Sequence, residues 1–257
     1  MSTEPVIKRT KDGSTTLYSP RYDQCYHNPN GAVAESRHIF FNQSGILEDI
    51  RQNQPFNIFE TGFGTGLNLI LLLDYLSEVG YNSQITYFTV EAHPVDPGVV
   101  SGFDFGEELR PDSYKPLLTD IFGKIRNGLN RFEPANYLTF KLYFGLFDRL
   151  FDEEQIPETF DYLFHDPFSP EVNPELWTPG AFESLKEISS PDAVLSTYCA
   201  ATSARASMAV AGWNVARTAG ALGKREMTLA SLNPSRLSKR KRLNEKRLIE
   251  RFENGEF

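Results

Sequence analysis

Phe59-Glu60-Thr61-Gly62-Phe63-Gly64-Thr65-Gly66-Leu67-Asn68 joins a short apolar run to a segment of helical period, with three glycines alternating over five positions. Such spacing lets the backbone turn tightly and approach a ligand without Cβ obstruction. Upstream, residues 56–60 have the nearly continuous apolar character of a buried strand, and downstream, 67–79 carry Leu69, Leu72, Leu73 and Leu76 on one helical face. A strand that runs through glycines straight into a helix puts the turn at the carboxyl end of a sheet, where open α/β folds bind ligands. A phosphate-binding P-loop closes on Gly-Lys-Ser/Thr, and no lysine stands here. A dinucleotide fingerprint needs G-x-G-x-x-G, and here the third glycine comes one residue early, with Leu67 in its place.

What remains is E-x-G-x-G-x-G, the pattern of S-adenosylmethionine-dependent methyltransferases with a Rossmann-like sheet, in which Glu60 serves the methionine amino end. The next β-rich run, 85–91, ends in Glu91, about thirty residues after Glu60. A carboxylate there can accept hydrogen bonds from both ribose hydroxyls of a nucleoside cofactor. NAD sites use the same device, so Glu91 does not separate the two classes. The plainer alternative is that Glu91 and His93 decorate an exposed strand end.

Five more runs (138–144, 162–165, 193–198, 213–217 and 226–230) alternate with helical segments at 179–188 and 203–211. This alternation predicts an α/β fold with a mostly parallel seven-stranded sheet and helices on both faces. The stretch 94–135 is long for a connection and is expected to hold a helix and to shape a substrate pocket. Residues 1–55 read as a loop-rich N-terminal element with turn signals at Asp12-Gly13 and Pro29-Asn30-Gly31 and an aromatic, polar stretch at 18–26. The catalytic domain then spans 56–235, and 236–257 is a basic tail or helix.

Tyr162-Leu163-Phe164-His165-Asp166-Pro167-Phe168-Ser169-Pro170 sends an acidic residue out of a buried strand into a loop stiffened by prolines. Asp166 there can orient a nucleophilic amine or assist removal of its proton. Alternatively it accepts backbone N–H bonds within its own turn. His165 reads as a packing residue.

The chain's 257 residues, 40% hydrophobic and 23% charged, suit one globular domain with modest appendages. The longest apolar run, 69–73, is too short to cross a bilayer, and residues 1–11 lack the apolar core of a secretory signal. Cys25 and Cys199 cannot staple a domain of this size, and a cytoplasmic protein without a membrane partner is expected. His27, His38, His93 and His165 show no metal-ligand spacing, so no metal is expected. Net charge is −8, but Lys224 to Arg251 holds ten Lys/Arg against three Glu, leaving about −15 on the remainder. That asymmetry fits a basic edge meeting phosphates. It fits equally an amphipathic helix burying Leu237, Leu243, Leu248 and Ile249.

Several segments together resemble one family: 60–68, 164–170, Asn173-Pro174-Glu175-Leu176-Trp177-Thr178, Gly223-Lys224-Arg225-Glu226-Met227, and the earlier Tyr26-His27…Gly31…Glu35-Ser36-Arg37…Phe40. Over about residues 12–231 they look like the tRNA (5-methylaminomethyl-2-thiouridine)-forming methyltransferases, the methyltransferase half of bifunctional bacterial MnmC. The resemblance implies methyl transfer from S-adenosyl-L-methionine to the 5-aminomethyl group of wobble uridine 34 in the anticodon region of tRNA. It implies upstream enzymes that install the aminomethyl group. The chain has no room for the FAD oxidase domain of the bifunctional relatives, so no FAD is expected.

By the same resemblance Glu60, Gly62, Phe63, Gly64, Gly66 and Asn68 hold the cofactor, together with Glu91, Gly145, Asp148, Asp166 and Pro167. Asp166 is the catalytic candidate. One departure concerns the adenine: the family often has Asp directly after Phe-Gly, whereas Leu146 follows Gly145 here and Asp148 is the nearest acid. Tyr26, Glu35, Phe168 and Tyr198 are candidate walls for an extruded uridine, and Arg205, Lys224, Arg225 and the cluster at 239–242 are candidates for phosphate contact. A same-fold methyltransferase of small molecules or proteins and a non-enzymatic nucleoside- or RNA-binding module are the competing readings, with an NAD-linked oxidoreductase third.

Overall fold

The computed structural model describes residues 5–107 and 109–257; residues 1–4 of the N-terminal element and Glu108 of the long connection lie outside the described residues. The described chain opens on a three-stranded antiparallel sheet of β1 (Val6–Arg9), β2 (Thr15–Ser19) and β3 (Gln24–Cys25). β1 is exposed at all four positions, so no apolar alternation marked it as a strand. β2 is mostly buried and tied to a distant loop, with Thr15 N donating to Asp104 O at 2.6 Å and Asp104 N to Thr15 Oγ1 at 2.9 Å. Helix α1 (Ala32–Ser36), a π-helical stretch Arg37–Asn42 and α2 (Ile46–Arg51) follow, burying Ile39, Phe40, Phe41 and Ile46. The N-terminal element is thus largely built of sheet and helix where the sequence reads as loop.

Among the described residues the main sheet has nine strands. Its centre is β4 (Phe56–Thr61), flanked by β5 (Ile85–Glu91) and, beyond it, β7 (Leu138–Phe144), which pairs antiparallel with β6 (Gly128–Ala135). On the other side lie β8 (Phe160–His165) and β9 (Ser189–Thr197), then the antiparallel β11 (Met227–Ser231), β10 (Asn214–Thr218) and β12 (Lys241–Arg242). All seven expected strands are present, and β4, β5, β7, β8 and β9 are mutually parallel. The two further strands sit at the sheet's margins, where one face or both meet solvent and the apolar signal fades: β6 alternates half-buried with exposed, and β12 is two exposed basic residues.

Helices cover both faces. On one side α3 (Leu67–Val79) and α5 (Pro111–Lys124) pack with the N-terminal helices, while α4 (Pro97–Val100) is a single turn beside α5. α3 is buried all round over its first six residues and exposed in its last turn, and it ends where Gly80 takes φ 63° and Tyr81 N donates back to Leu76 O at 3.0 Å. The other face carries α6 (Phe147–Glu153), α7 (Pro179–Glu187), α8 (Thr202–Val210) and α9 (Glu245–Glu253) over a second apolar cluster. The basic C-terminus is part of this layer: β12 pairs with β10, and α9 buries Leu248 against the second cluster, with Leu243 and Ile249 half-buried beside it. Its apolar stripe faces inward, as the amphipathic reading expects, while Lys239, Lys241 and Lys246 stay exposed.

The chain proceeds from β4 through β5 to β7 in one direction and from β8 to β9 in the other. The carboxyl ends beside β4 therefore form the switch-point crevice of an open parallel sheet. Among the described residues no helix is long and apolar enough to cross a membrane.

Candidate active site

Backbone hydrogen bonds stitch four strand ends into one platform at that crevice. Gly62 N donates to Val90 O at 3.0 Å, Asp166 N to Thr61 O at 3.0 Å and Gly145 N to Glu91 O at 3.1 Å. Gly62 takes φ 88°, and a Cβ there would lie 3.1 Å from the Asp166 carbonyl oxygen, so the turn needs glycine on both counts. Gly64 N donates to Glu91 Oε2 at 2.9 Å, and His93 N to Glu91 Oε1 at 2.8 Å, which fixes the carboxylate at the lip of the glycine turn. The second reason this turn runs as it does is Gly66, at φ 78°: a Cβ there would meet Leu118 Cδ2 at 2.7 Å.

Beneath the turn, Asn68 from the first turn of α3 donates Nδ2 to Glu60 Oε1 at 2.8 Å and approaches Asp166 Oδ2 at 3.4 Å. Glu60 Oε2 and Asn68 Oδ1 are buried without a well-formed hydrogen bond, as are the hydroxyls of Tyr87 and Thr89, although both hydroxyls stand near the Glu60 carboxyl. Burial pushes Glu60 up to about 8, against the lowering by Asn68, Tyr87 and Thr89. Burial also holds Asp166 well above the ordinary carboxyl range, reinforced by the charges of Glu60 and Glu35 and opposed by Asn68 and Lys224. Once ionised, a carboxyl raised in this way is a stronger proton acceptor than an exposed carboxylate.

The platform floors a cavity of ≈ 970 Å³, at the top of the range for small-molecule sites. Its opposite wall is the stretch 21–29, which folds back across the crevice from the N-terminal sheet. Gln24 Nε2 donates to Ser169 Oγ at 2.7 Å, and the rings of Tyr22 and Tyr26 meet Phe168 at centroid distances of 4.8 and 5.1 Å. Phe168 is itself held by Trp177, whose Nε1 donates to the Phe168 carbonyl at 2.9 Å. Tyr198 completes this side, its hydroxyl donating to Pro167 O at 2.8 Å. Glu35 accepts from Asn28 N (3.0 Å), Asn28 Nδ2 (3.1 Å) and Lys224 Nζ (2.8 Å).

The structure brings most of the expected residues to one cavity, and it moves several. Glu60 is 1% exposed and does not line the cavity; it reaches the site through Asn68, because a side chain inside β4 points under the turn rather than over it. Gly66 likewise sits behind the wall, against Leu118 and Phe63. Gly62, Phe63, Gly64, Asn68, Glu91 and Gly145 line the cavity, as do Asp148, which is exposed, and Asp166 and Pro167.

Arg205 cannot meet phosphate as expected. It is 7% exposed, and its guanidinium donates to Thr228 Oγ1, Glu226 Oε2 and the Met227 carbonyl, so it serves the core between α8 and β11. Lys224 lies at the cavity but pairs with Glu35, and Arg225 is exposed outside the lining. None of the described residues of 94–135 lines the cavity; that stretch instead forms α4, α5 and β6, so the expected pocket role falls to residues 21–29. His165 packs as expected, its ring 4.6 Å from Trp177 and 5.1 Å from Phe182, and burial lowers it to about 3. Sequence reasoning missed Tyr22, Gln24 and Asn28; the aromatic, polar run around Tyr22 was the available signal. Among the described residues no group of His, Cys, Asp and Glu is placed to hold a metal ion.

Parallel strands with covered faces, a glycine turn at the switch point and a carboxylate on the neighbouring strand end give the chain the class I methyltransferase fold. The family model described as S-adenosyl-L-methionine-dependent methyltransferase matches residues 111–233. The chain is similar to the tRNA 5-methylaminomethyl-2-thiouridine biosynthesis bifunctional protein MnmC of Ralstonia nicotianae, 31% identical over 84% of this chain and 33% of that protein. It is 31% identical to MnmC of Cupriavidus metallidurans over 90% of this chain and 34% of that protein. The chain thus spans about a third of the length of these curated relatives. In fold it is similar to MNMC2 from Aquifex aeolicus, with a TM-score of 0.76 and 27% identity over 97% of this chain and 76% of that one.

The residues present fit the methyl-donor nucleoside this class uses. Glu91 stands at the end of β5 beside the glycine turn, Asn68 Oδ1 is a buried acceptor without a partner below it, and glycine leaves the lip of the turn bare of side chain.

Proposed function

We propose that this protein is a cytoplasmic tRNA methyltransferase that methylates the 5-aminomethyl group of wobble uridine 34. What carries the reading is the position of Asp166: it leaves β8 between the glycine turn and the aromatic chamber, with burial holding its carboxyl above the ordinary carboxyl range. When bound, S-adenosyl-L-methionine supplies a methyl already activated by its sulfonium. The chain's own residues then have to align a neutral amine with that methyl, and good alignment supplies roughly 7–11 kcal/mol of the barrier in well-oriented systems.

Glu91, Gly64 and Asn68 would hold the methyl donor, with Gly145 and Asp148 the candidates to meet its adenine. Tyr26 and Phe168 offer ring faces to an unstacked pyrimidine, a contact worth roughly 1–3 kcal/mol per base. Asp166 accepts the proton shed by the attacking amine and directs its lone pair. The MnmC names of the similar proteins support tRNA as substrate, with the aminomethyl group delivered by upstream modification enzymes.

Nucleoside mass spectrometry tests this directly. tRNA carrying 5-aminomethyluridine, incubated with the protein and isotopically labelled methyl donor, should gain one labelled methyl at that nucleoside. Label appearing in another nucleoside, or in protein or free small amines but not in tRNA, would overturn the reading.

A further inference from the structure

We infer that Glu35 is the seat of the substrate's ammonium group, and that Lys224 occupies this seat in the resting protein and leaves it as the substrate arrives. The inference rests on the substrate being a primary amine. Glu35 lies on α1 with its side chain 11% exposed, and the cation that neutralises it is brought from 189 positions away.

The three donors on Glu35 differ in kind. Asn28 supplies two of them, backbone N and Nδ2, and is itself a buried residue of the same N-terminal element. The third, Lys224 Nζ, belongs to a side chain 42% exposed, carried on the connection between β10 and β11. That connection turns through Leu222 at φ 51° and Gly223 at φ 81°, and both residues are exposed. Two bonds are therefore built into the wall, and one comes from the solvent side.

A buried carboxylate stripped of its cation is strongly destabilised, so Lys224 can leave only if another cation takes its place. A primary alkylammonium is the same chemistry as the lysine head group, a compact charge with three donors. The exchange keeps the charge of the cavity and the hydrogen-bond count on Glu35 unchanged. It also transfers to the substrate the aromatic face of Tyr198, whose ring centroid lies 5.3 Å from Lys224 Nζ. Glu35, Lys224, Tyr198 and Asp166 all line the same cavity, so a substrate amine seated on Glu35 stands in the chamber that holds the proton acceptor. Neutral and anionic substituents cannot replace the lysine in this way. The methylated product carries one N–H fewer than the substrate and holds the seat less well.

The exchange predicts kinetics that a phosphate-binding or purely structural lysine would not give. Steady-state methyl transfer to aminomethyl-bearing tRNA is measured at fixed salt for the parent, Glu35→Gln, Lys224→Met, Lys224→Gln and the Glu35→Gln/Lys224→Met double variant. Cofactor affinity by calorimetry shows that each variant is folded, and Lys224→Gln carries the test should Lys224→Met not fold. Glu35→Gln should raise KM about tenfold or more, the loss of a charge-assisted hydrogen bond. Removing the competing lysine should lower KM several-fold with a smaller change in kcat, and should leave KM unmoved when Glu35 is already Gln. A KM that rises on loss of Lys224 in both backgrounds, or that is unchanged in Glu35→Gln, overturns the exchange. A parent protein that does not methylate this tRNA overturns the substrate reading instead.

Discussion

One side of the cavity comes from residues 61–64, Leu67, Asn68 and the strand ends beside them, whereas the facing side is assembled from segments as far apart as Glu35 and Lys224. The first is held by backbone bonds between parallel strands, which no side-chain change can easily alter. The second is held by side chains: Gln24 on Ser169, Tyr22 and Tyr26 on Phe168, and Lys224 on Glu35. On the proposed reading, a donor common to a whole enzyme class would be met by a rigid frame, and the group to be methylated by parts that can vary and exchange. Asp166 stands at the seam, with its backbone in the frame and its carboxyl in the chamber.

The seam is the place to break this division. Asp166→Asn keeps the shape and the backbone bond to Thr61 but removes the proton acceptor. Turnover should fall about 10²–10⁴-fold while cofactor affinity changes little. Turnover assays paired with calorimetry check it, and a parallel loss of cofactor binding would place Asp166 wholly in the frame. Gly62→Ala attacks the frame itself. Forcing an L-residue into the left-handed region costs about 1–2 kcal/mol, and the Cβ also meets the Asp166 carbonyl at 3.1 Å. The melting temperature should drop by several degrees and cofactor affinity at least tenfold, as thermal melts and calorimetry would show; normal binding would mean that the turn does not cup the donor.

The same division explains what could be read from the chain before its fold was known. The frame is local, so alternating glycines, the acid on the second strand and the apolar runs of 56–60, 85–91 and 138–144 all carried signal within short windows. The strands at the sheet's margins did not, because β6 and β12 have little buried surface to impose a pattern. Arg205 shows the limit for charge: a basic residue in an Ala-rich helix reads as a phosphate contact, and only the positions of Thr228 and Glu226 across the sheet reveal a buried anchor. Glu60 is a related case, because the motif gives its nearness to the glycine turn but not the Asn68 side chain that stands between it and the cavity. The Glu35–Lys224 pair was invisible as a pair, since no window joins residues so distant.

Glu60 offers a smaller, pH-dependent test of the frame. In the folded protein it stays protonated up to about pH 8, while in the unfolded chain it ionises near its ordinary value of 4.5. Between those two values the folded state binds more protons than the unfolded, so stability falls as pH rises through the window. Glu60→Gln removes that slope. It should melt higher than the parent at pH 8, by an amount of the order of a few kcal/mol, and the advantage should close toward pH 5. His165 works in the opposite sense: lowered to about 3 from 6.5, it costs stability as pH falls through that range, so the acid limb should persist in the Glu60 variant.

The smallest effect belongs to the outermost layer of the substrate side. Lys239 and Lys241 are exposed at the sheet edge, whereas Arg240 donates to the Gln43 carbonyl and Arg242 to Asn214 and Glu245. If the edge meets RNA, these two lysines are the ones whose charge is available to phosphate. Lys239→Gln and Lys241→Gln should each reduce the slope of log affinity for tRNA against log salt by about 0.7–0.9, with no change in melting temperature. Arg205→Met should do the reverse, lowering the melting temperature and leaving the salt slope alone, because its charge is spent on Glu226 inside the fold. Filter binding at several salt concentrations separates the two classes of basic residue. A salt slope unchanged by the lysine variants would move RNA contact away from this edge, with the exposed Arg225 the next residue to test.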